Sequence, residues 1–412
     1  MNKFSRSAAL AFLLAGGSVA AMTTGVSPAY AQDGEVDTEI SRPVAELYSD
    51  AAEAFQDDQD FAAAHMYLAE ARALPDKTPW ETYTIEKLDM QLYLNQQELD
   101  LALPRINAMI DTGVMPLEDK QAYLRIAMLL SSNAQDYEHV IEYGTEAVNY
   151  PDWDDQADEV LATAYYFSGD LAGAEQFAQS VIARKEAAGG MATLQTLNVL
   201  FNAQQDQGKE QEASQTAGQI AVVDPTPENW GRVIDYAFAS GDLEDRQYLN
   251  LYRLRRETNS LAPADYPGMA NMAVELGLPA EAQSVLNEAI ATGNLQAGEV
   301  ADAVADVSAL TSETEAALAE FASEAAASPN GQAEVQYGEL LLGYQRFAEA
   351  ESAIRRGIEK GGMANPADAQ VLLGIALLEQ DKKAEAQQAF SAAEQSPATQ
   401  PVAWAWGLYA SM

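Results

Sequence analysis

The two histidines and the lack of cysteine limit the chemistry that this 412-residue sequence can perform. Histidine and cysteine supply many of the general bases, nucleophiles and metal ligands that work near neutral pH. Because there is no cysteine, there is no disulfide, thiol nucleophile or thiolate metal site. His65 and His139 lie far apart in the chain. We expect both to be packing or surface residues, and we predict no metal site.

Two acidic runs are the other clusters that could hold a cation. They are residues 57–60 (Asp-Asp-Gln-Asp) and 152–155 (Asp-Trp-Asp-Asp). Calcium requires several oxygen ligands at once, spaced along a loop that contains a glycine, and neither run has that spacing. Both runs fall at predicted turns, where an aspartate accepts hydrogen bonds from the first amides of the next helix. We interpret them as helix caps.

Sequence motifs for catalysis are also missing. There is no G-x-S-x-G turn, no glycine-rich phosphate loop and no His-Glu-x-x-His helix. Paired carboxylates prove nothing in a chain with 63 acidic residues. An enzyme would need a site assembled from distant parts of the chain. The sequence therefore predicts a protein that is not an enzyme, with no catalytic residue and no cofactor.

The net charge of the chain limits the kinds of partner that it can bind. The chain carries a net charge of −40, and without Lys3 and Arg6 it has 21 basic against 63 acidic residues, a net charge of −42. Such a field repels phosphate backbones and anionic lipid headgroups. We therefore expect no nucleic-acid partner and favour a basic or neutral protein or peptide.

The first 31 residues have the features of a secretory signal peptide. A basic start at Lys3 and Arg6 is followed by an apolar run from Ala8 to about Met22 and by the small-x-small site at 29–31. The alternative, a transmembrane anchor, is less favoured because Gly16 and the residues after it shorten the apolar run. We expect cleavage before residue 32, no membrane insertion after cleavage, and a periplasmic or secreted mature chain.

The elements that would position any site recur along the chain. A small residue follows a polar turn in stretches such as GDLAGAEQFAQSV (169–181) and QRFAEAESAIRRG (345–357), and these small residues lie 33 to 39 positions apart. Repeats of this length indicate stacked supersecondary units. We call the residue at this position the marker of each copy. Counting the weaker copies, the markers are Ala64, Ala102, Val140, Ala174, Ala213, Arg246, Ala282, Ala317, Ala350 and Ala386.

The residue pattern of each copy predicts two helices that pack small residues against large ones. Before the turn the pattern is large, small, large, as in Leu373, Gly374 and Leu377. After the turn the small marker is followed by apolar residues at helical spacing, as in Ala386 and Phe390. One hairpin cannot bury its apolar faces alone, so neighbouring hairpins must stack. We predict an all-α, right-handed α-solenoid of about ten degenerate hairpins.

The chain resembles the tetratricopeptide repeat family. The resemblance rests on Leu373-Gly374, Ala386, Phe390, Ala393 and Pro397 in one copy, with weaker matches such as Trp230 with Gly241-Asp242 and Ala213 with Pro225. It covers about residues 43 to 397. It implies a groove lined by the first helices and a role in binding proteins.

The predicted boundaries follow the repeats. They are a signal peptide (1–31), a polar lead-in (32–42), an N-terminal array (43–292), an Ala- and acid-rich segment (293–330) and C-terminal repeats with a capping helix (331–412). The segment 293–330 is either an ordinary degenerate repeat or a hinge.

Carrying the family's groove positions over to the fifth copy gives an amide row of Gln195, Asn198, Asn202 and Gln205. Amides donate and accept hydrogen bonds at once, which suits an extended peptide backbone. The alternative is that the amide row is an ordinary solvent-exposed face of the helix with no role in binding. A clamp for a terminal carboxylate is not predicted, because the neighbouring groove positions lack the basic residues that it needs, apart from nearby Arg232. The adjoining copies add Glu159, Thr163 and Tyr166 on one side and Glu228, Asp235 and Phe238 on the other.

The C-terminal stretch QPVAWAWGLYASM contains Trp404 and Trp406. A terminal repeat needs a cover for its apolar face, which favours a capping helix. The alternative is a docking patch for a partner.

Together these features predict a periplasmic interaction scaffold of a cell-envelope machine, without choosing among peptidoglycan synthesis, outer-membrane assembly, secretion and energy-coupled transport. A soluble carrier or chaperone for envelope cargo is the alternative, and an envelope hydrolase is least favoured. The sequence does not predict the oligomeric state.

Overall fold

The computed structural model describes residues 37–56, 59–151, 153–241 and 243–412. The predicted signal peptide, residues 32–36 of the lead-in, and Asp57, Asp58, Asp152 and Asp242 lie outside the described residues. Within the described ranges every regular element is a helix, which confirms the all-α class. None of these helices is both long and apolar enough to cross a membrane.

The chain divides into two compact units at the junction between Gly208 and Lys209. In the first unit, consecutive helices pack as hairpins: α1 on α2, α3 on α4, α5 on α6 and α7 on α8, with α9 against both α7 and α8. Its described helices are α1 (Arg42–Gln56), α2 (Phe61–Ala73), α3 (Pro79–Asn95), α4 (Leu99–Asp111), α5 (Leu117–Asn133), α6 (Tyr137–Ala147), α7 (Asp155–Phe167), α8 (Leu171–Ala187) and α9 (Leu194–Asp206).

The second unit contains the same kind of hairpin and, in addition, one long helix (α15). Helix α13 pairs with α14, α16 with α17 and α18 with α19, and the last helix packs on α19. Its described helices are α10 (Glu210–Val223), α11 (Pro227–Ala239), α12 (Asp245–Glu257), α13 (Asp265–Glu275), α14 (Pro279–Ala291), α15 (Ala301–Ala327), α16 (Gln332–Gly343), α17 (Phe347–Lys360), α18 (Pro366–Leu378), α19 (Lys383–Ala393) and α20 (Gln400–Ala410).

Aspartates from the two acidic runs begin helices. The Asp60 carboxylate accepts a 2.9 Å hydrogen bond from the Ala63 amide at the start of α2. Asp154 accepts a 3.0 Å bond from the Ala157 amide at the start of α7. A side-chain cap of this kind stabilises a helix by about 1 kcal/mol. The capping interpretation is confirmed for these two aspartates.

Small residues bring paired helices together as predicted. A Cβ added to Gly374 would lie 2.4 Å from Cε1 of Phe390, and one added to Gly338 would lie 2.5 Å from Cγ1 of Ile354. Both large side chains are fully buried. In these two hairpins the helices therefore come this close because one residue at each contact is a glycine. The marker residues that are fully buried are Ala64, Ala102, Val140, Ala174, Ala213, Ala282, Ala350 and Ala386.

The eighth copy departs from the hairpin pattern. Within segment 293–330, residues 301–327 form one continuous helix of 27 residues, α15. Ala317 lies within this helix and not on a separate second helix. No residue from 294 to 344 has the left-handed backbone that ends other first helices of the array. Without such a turn the helix continues. The marker assignment at Ala317 is therefore corrected, and whether this segment acts as a hinge stays a prediction.

Candidate partner-binding surface

Helix α9 presents the amide row on one side. Gln195, Asn202 and Gln205 are exposed and Asn198 is half-buried. Thr193 begins the helix by accepting a hydrogen bond from the amide of Thr196. The opposite side of α9 packs against α7 and α8 through its buried residues, which are Thr196, Leu197, Val199, Leu200, Phe201, Ala203 and Gln204.

Helix α7 borders the amide row. The amide of Gln195 donates a 3.4 Å hydrogen bond to the Thr163 hydroxyl. The Tyr166 hydroxyl donates a 2.8 Å bond to the carboxylate of Asp206, one residue beyond Gln205. This bond, with a smaller contribution from burial, raises the pKa of Tyr166 above its ordinary value of 10.0. The structure therefore brings Thr163 of α7 together with Gln195 of α9, and Tyr166 together with the neighbouring Asp206.

Aromatic rings lie at the C-terminal end of α7. The Phe167 side chain is 60% exposed, although it is a large apolar group. Its ring stacks on Tyr137 at a centroid distance of 5.6 Å and meets the Tyr166 ring edge-on at 5.3 Å. Exposed aromatic clusters are enriched at protein interfaces. The sequence prediction included Tyr166 but missed Phe167, which its position at the end of a first helix could have indicated.

Phe238 belongs to the second unit and is half-buried there. Its ring stacks on Tyr248 at 5.6 Å and lies 5.3 Å from the ring of Tyr252. The Arg255 guanidinium lies over the same ring at 5.4 Å and also pairs with Asp235. A partner role for Phe238 stays a prediction, and the structure gives this residue contacts within its own unit.

The C-terminal tryptophans pack inside the second unit. Trp406 is 1% exposed, and its indole N–H donates a 2.9 Å hydrogen bond to the backbone carbonyl of Asn250. Trp404 is half-buried and contacts Gly218, where an added Cβ would lie 3.1 Å from its ring. Helix α20 thus contacts α10, α11 and α12 as well as α19. The prediction that Trp406 contacts a partner is corrected, because its ring lies in the core.

The C-terminal repeats do not offer an open first-helix face. The repeat spacing places Val335, Glu339 and Leu342 of α16 at the positions equivalent to Asn198, Asn202 and Gln205, and all three are buried.

Helix α12 of the same unit covers this face. The Glu339 carboxylate lies 2.7 Å from Nε of Arg246 and 3.4 Å from Nη1 of Arg253. Gln247 of α12 also donates a 3.3 Å hydrogen bond to Asp368 of α18. This arrangement was not predicted, although Arg246, at a marker position that is usually small, indicates that a charged group is needed there.

His65 and His139 have local partners. Nδ1 of His65 lies 2.6 Å from the buried carboxylate of Asp89, which also pairs with Arg72 of α2 at 2.5 Å. His139 lies 2.7 Å from the capping residue Asp136. His65 thus joins α2 to α3, while His139 lies in the first turn of α6, so the two are a packing and a surface residue, in line with what we expected. Among the residues that the structure describes, no group of three or more His, Asp or Glu side chains could hold a metal ion.

A cavity of about 150 Å³ lies within the second unit, between α12, α14, α16, α18 and α20. Glu257 and Glu379 line it beside Arg256. Burial raises the pKa of both carboxyl groups, with the neighbouring charge of Glu288 adding to the shift of Glu257 and that of Glu257 adding to the shift of Glu379. Arg256 opposes both shifts and is itself paired with Glu288 at 2.5 Å.

No protein-family model matches the sequence, and no curated protein matches it significantly. Several solved structures resemble the chain weakly. A tetratricopeptide repeat protein from Parabacteroides merdae is 13% identical, with 90% of this chain and 100% of that chain covered and a TM-score of 0.28.

Two other structures resemble it at a similar level. A chain of Naa15/Naa10 bound to HypK-THB is 12% identical, with 87% and 64% covered and a TM-score of 0.25. The TPR domain of P58(IPK) is 12% identical, with 89% and 98% covered and a TM-score of 0.22. At these identities and scores, no conclusion about function rests on the matches. The contacts of Gly338 with Ile354 and of Gly374 with Phe390 are the firmer evidence for a fold of helical hairpins.

Proposed function

We propose that this chain is a protein-interaction scaffold that binds an extended segment of a partner along α7 and α9 of the first unit. The observation that carries this proposal is the amide row, in which Gln195, Asn202 and Gln205 are exposed and Asn198 is half-buried, on a helix whose other side is buried. Side-chain amides can pair with both the N–H and the C=O groups of an extended backbone. Tyr166 and Phe167 add an aromatic edge where such a segment can bury apolar surface.

The partner segment is basic or neutral. The chain carries a net charge of −40, so a basic segment is attracted and an acidic one repelled. The second unit provides an internal example of this preference. There, Arg246 and Arg253 of α12 bind the first-helix carboxylate of Glu339.

The proposed location is the periplasm of a Gram-negative bacterium, where the scaffold serves a machine of the cell envelope. This part of the proposal rests on the signal-peptide pattern of residues 1–31. Peptidoglycan synthesis, outer-membrane assembly, secretion and energy-coupled transport are the envelope processes to which it applies.

Affinity capture with the purified mature chain tests the proposed surface. Replacing Asn198 and Asn202 with alanine removes two amides, and each hydrogen bond contributes about 0.5–1.5 kcal/mol, so capture of the partner should weaken at least about fivefold. Gln176→Ala is the matched control, because Gln176 is an exposed amide on α8, outside the proposed surface. Unchanged capture by the double variant would refute the role of the amide row. Capture of many unrelated envelope proteins would favour the carrier alternative over a scaffold.

A further inference from the structure

We propose that Tyr166, Phe167 and Asp206 form a binding site for an arginine side chain of the partner segment. We call these three residues the cation site. This inference deepens the proposed function, on which it rests, by naming the side chain that the surface recognises.

The three side chains form one connected group. Tyr166 joins them, because its ring lies 5.3 Å from that of Phe167 and its hydroxyl donates a 2.8 Å hydrogen bond to Asp206. Phe167 is 60% exposed, and its stacking on Tyr137 holds the ring at the surface. Asp206 is exposed as well.

This combination suits a planar cation. A guanidinium within about 6 Å of an aromatic ring is attracted by the negative ring face. The same group donates charge-assisted hydrogen bonds to a carboxylate. Arginine fits better than lysine, because its flat fork can lie on a ring and still direct N–H groups at a neighbouring oxygen.

In the second unit, an aromatic ring and a carboxylate already hold an arginine side chain of the chain itself. There the Arg255 guanidinium lies 5.4 Å from the ring of Phe238 and pairs with Asp235. Phe238 and Tyr166 occupy equivalent positions near the ends of their first helices, according to the repeat spacing. The chain thus already holds one arginine with an aromatic ring and a carboxylate. In the first unit the same kinds of group face solvent, so we assign them an arginine from the partner.

The test is an NMR titration of the mature chain with N-acetyl-arginine-N-methylamide. We expect saturable shifts of the Tyr166 and Phe167 ring signals, and no saturable shifts with the glutamate and norleucine analogues. Asp206→Asn should weaken this binding about tenfold, because a charge-assisted hydrogen bond is lost. Phe167→Ala should weaken it as well, since the exposed ring face is removed.

Two control variants guard against general effects. Glu70→Gln removes an exposed acid elsewhere in the first unit, and Leu101→Ala removes an exposed apolar side chain on α4. Both should bind the arginine probe as the parent chain does. If the norleucine analogue binds as well as the arginine analogue, or if Asp206→Asn binds like Glu70→Gln, the cation site is refuted.

The titration separates this inference from the proposed function. Asn198→Ala with Asn202→Ala leaves the cation site intact, so that variant should bind the arginine probe normally while losing the partner segment. If the probe binds but the double variant captures the partner unchanged, the amide row fails and the cation site stands. If capture depends on the amide row but not on Asp206, the cation site fails and the proposed function stands.

Discussion

The indole N–H of Trp406 donates a 2.9 Å hydrogen bond to the backbone carbonyl of Asn250, although 156 residues separate them in the sequence. Trp406 also stacks on Phe390 at 5.9 Å, while Tyr409, one helical turn later, meets Trp230 edge-on at 5.7 Å. The last helix of the second unit therefore packs against early helices of the same unit. Helix α20 therefore covers parts of α10, α11 and α12 as well as the preceding helix α19.

Trp406→Phe should destabilise the second unit by at least about 2 kcal/mol, because the buried indole hydrogen bond to the Asn250 carbonyl is lost and a small cavity opens. Hydrogen exchange in α12 and α20 measures this loss and distinguishes it from changes in the first unit. Removing only Ser411 and Met412, which are exposed, is the control and should leave exchange unchanged. Normal protection of α12 in Trp406→Phe would contradict this role of the C-terminal helix.

Gly374→Ala should lower the free energy of unfolding by about 1–2 kcal/mol. The added methyl group meets the Phe390 ring at 2.4 Å, and Phe390 is buried and cannot move aside. Gly268→Ala is the matched control: it adds the same methyl group to a helix with no atom within 4 Å, so it should be neutral or stabilise by up to about 1 kcal/mol. Urea unfolding of both variants checks the difference. Equal effects would show that close approach of the helices does not require glycine at position 374.

Glu334 makes the stability of the second unit depend on pH. Burial alone would raise its pKa, but hydrogen bonds from Arg356 and Lys360 outweigh burial and hold the pKa below the ordinary value of 4.5. A carboxylate with a lowered folded pKa stabilises the fold above its unfolded pKa, and this contribution is lost as the pH falls through the folded pKa. Glu334→Gln should therefore cost about 1–2 kcal/mol at neutral pH, and this cost should disappear as the pH falls through the lowered folded pKa of Glu334.

Unfolding curves across this pH range measure the effect. Glu359→Gln, an exposed change on α17 beside Lys360, is the control and should show a small loss at every pH. A cost for Glu334→Gln that stays constant down to acid pH would mean that its charge is not what stabilises α16 against α17.

The pattern of small and large residues predicted the hairpins well, because each hairpin contact joins residues close in sequence. Gly374 meets Phe390 only 16 positions later, so the helical spacing of one repeat contains the whole contact. The amide row was predictable for the same reason. Its four residues share one helix, and the groove positions implied by the resemblance to tetratricopeptide repeats gave the side that they occupy; its role in binding stays a prediction.

Contacts between distant repeats could not be predicted in the same way. Glu339 pairs with Arg253, 86 positions away, and no local pattern encodes that meeting. Several turns were also hidden, because Gln97, Gln135 and Gln345 adopt the left-handed backbone that glycine usually takes. In segment 293–330 the missing turn was visible, yet spacing alone could not show that one long helix would form.

Export of the chain should leave a mature N-terminus at Gln32. The small-x-small site at 29–31 is the feature that a signal peptidase recognises. Mass spectrometry of the protein recovered from the periplasmic fraction would identify the first residue, and Ala31→Leu should block cleavage. A cytoplasmic protein that keeps residues 1–31 would contradict the proposed location.

The most direct test of the proposed partner-binding surface is site-specific photocrosslinking in living cells. A photoreactive phenylalanine analogue placed at Asn202 should crosslink one stoichiometric partner, because position 202 lies in the exposed amide row. The same group at Gln176, on the exposed side of α8, should not crosslink it. Equal crosslinking from both positions, or crosslinking of the partner from position 176 alone, would contradict binding along α7 and α9.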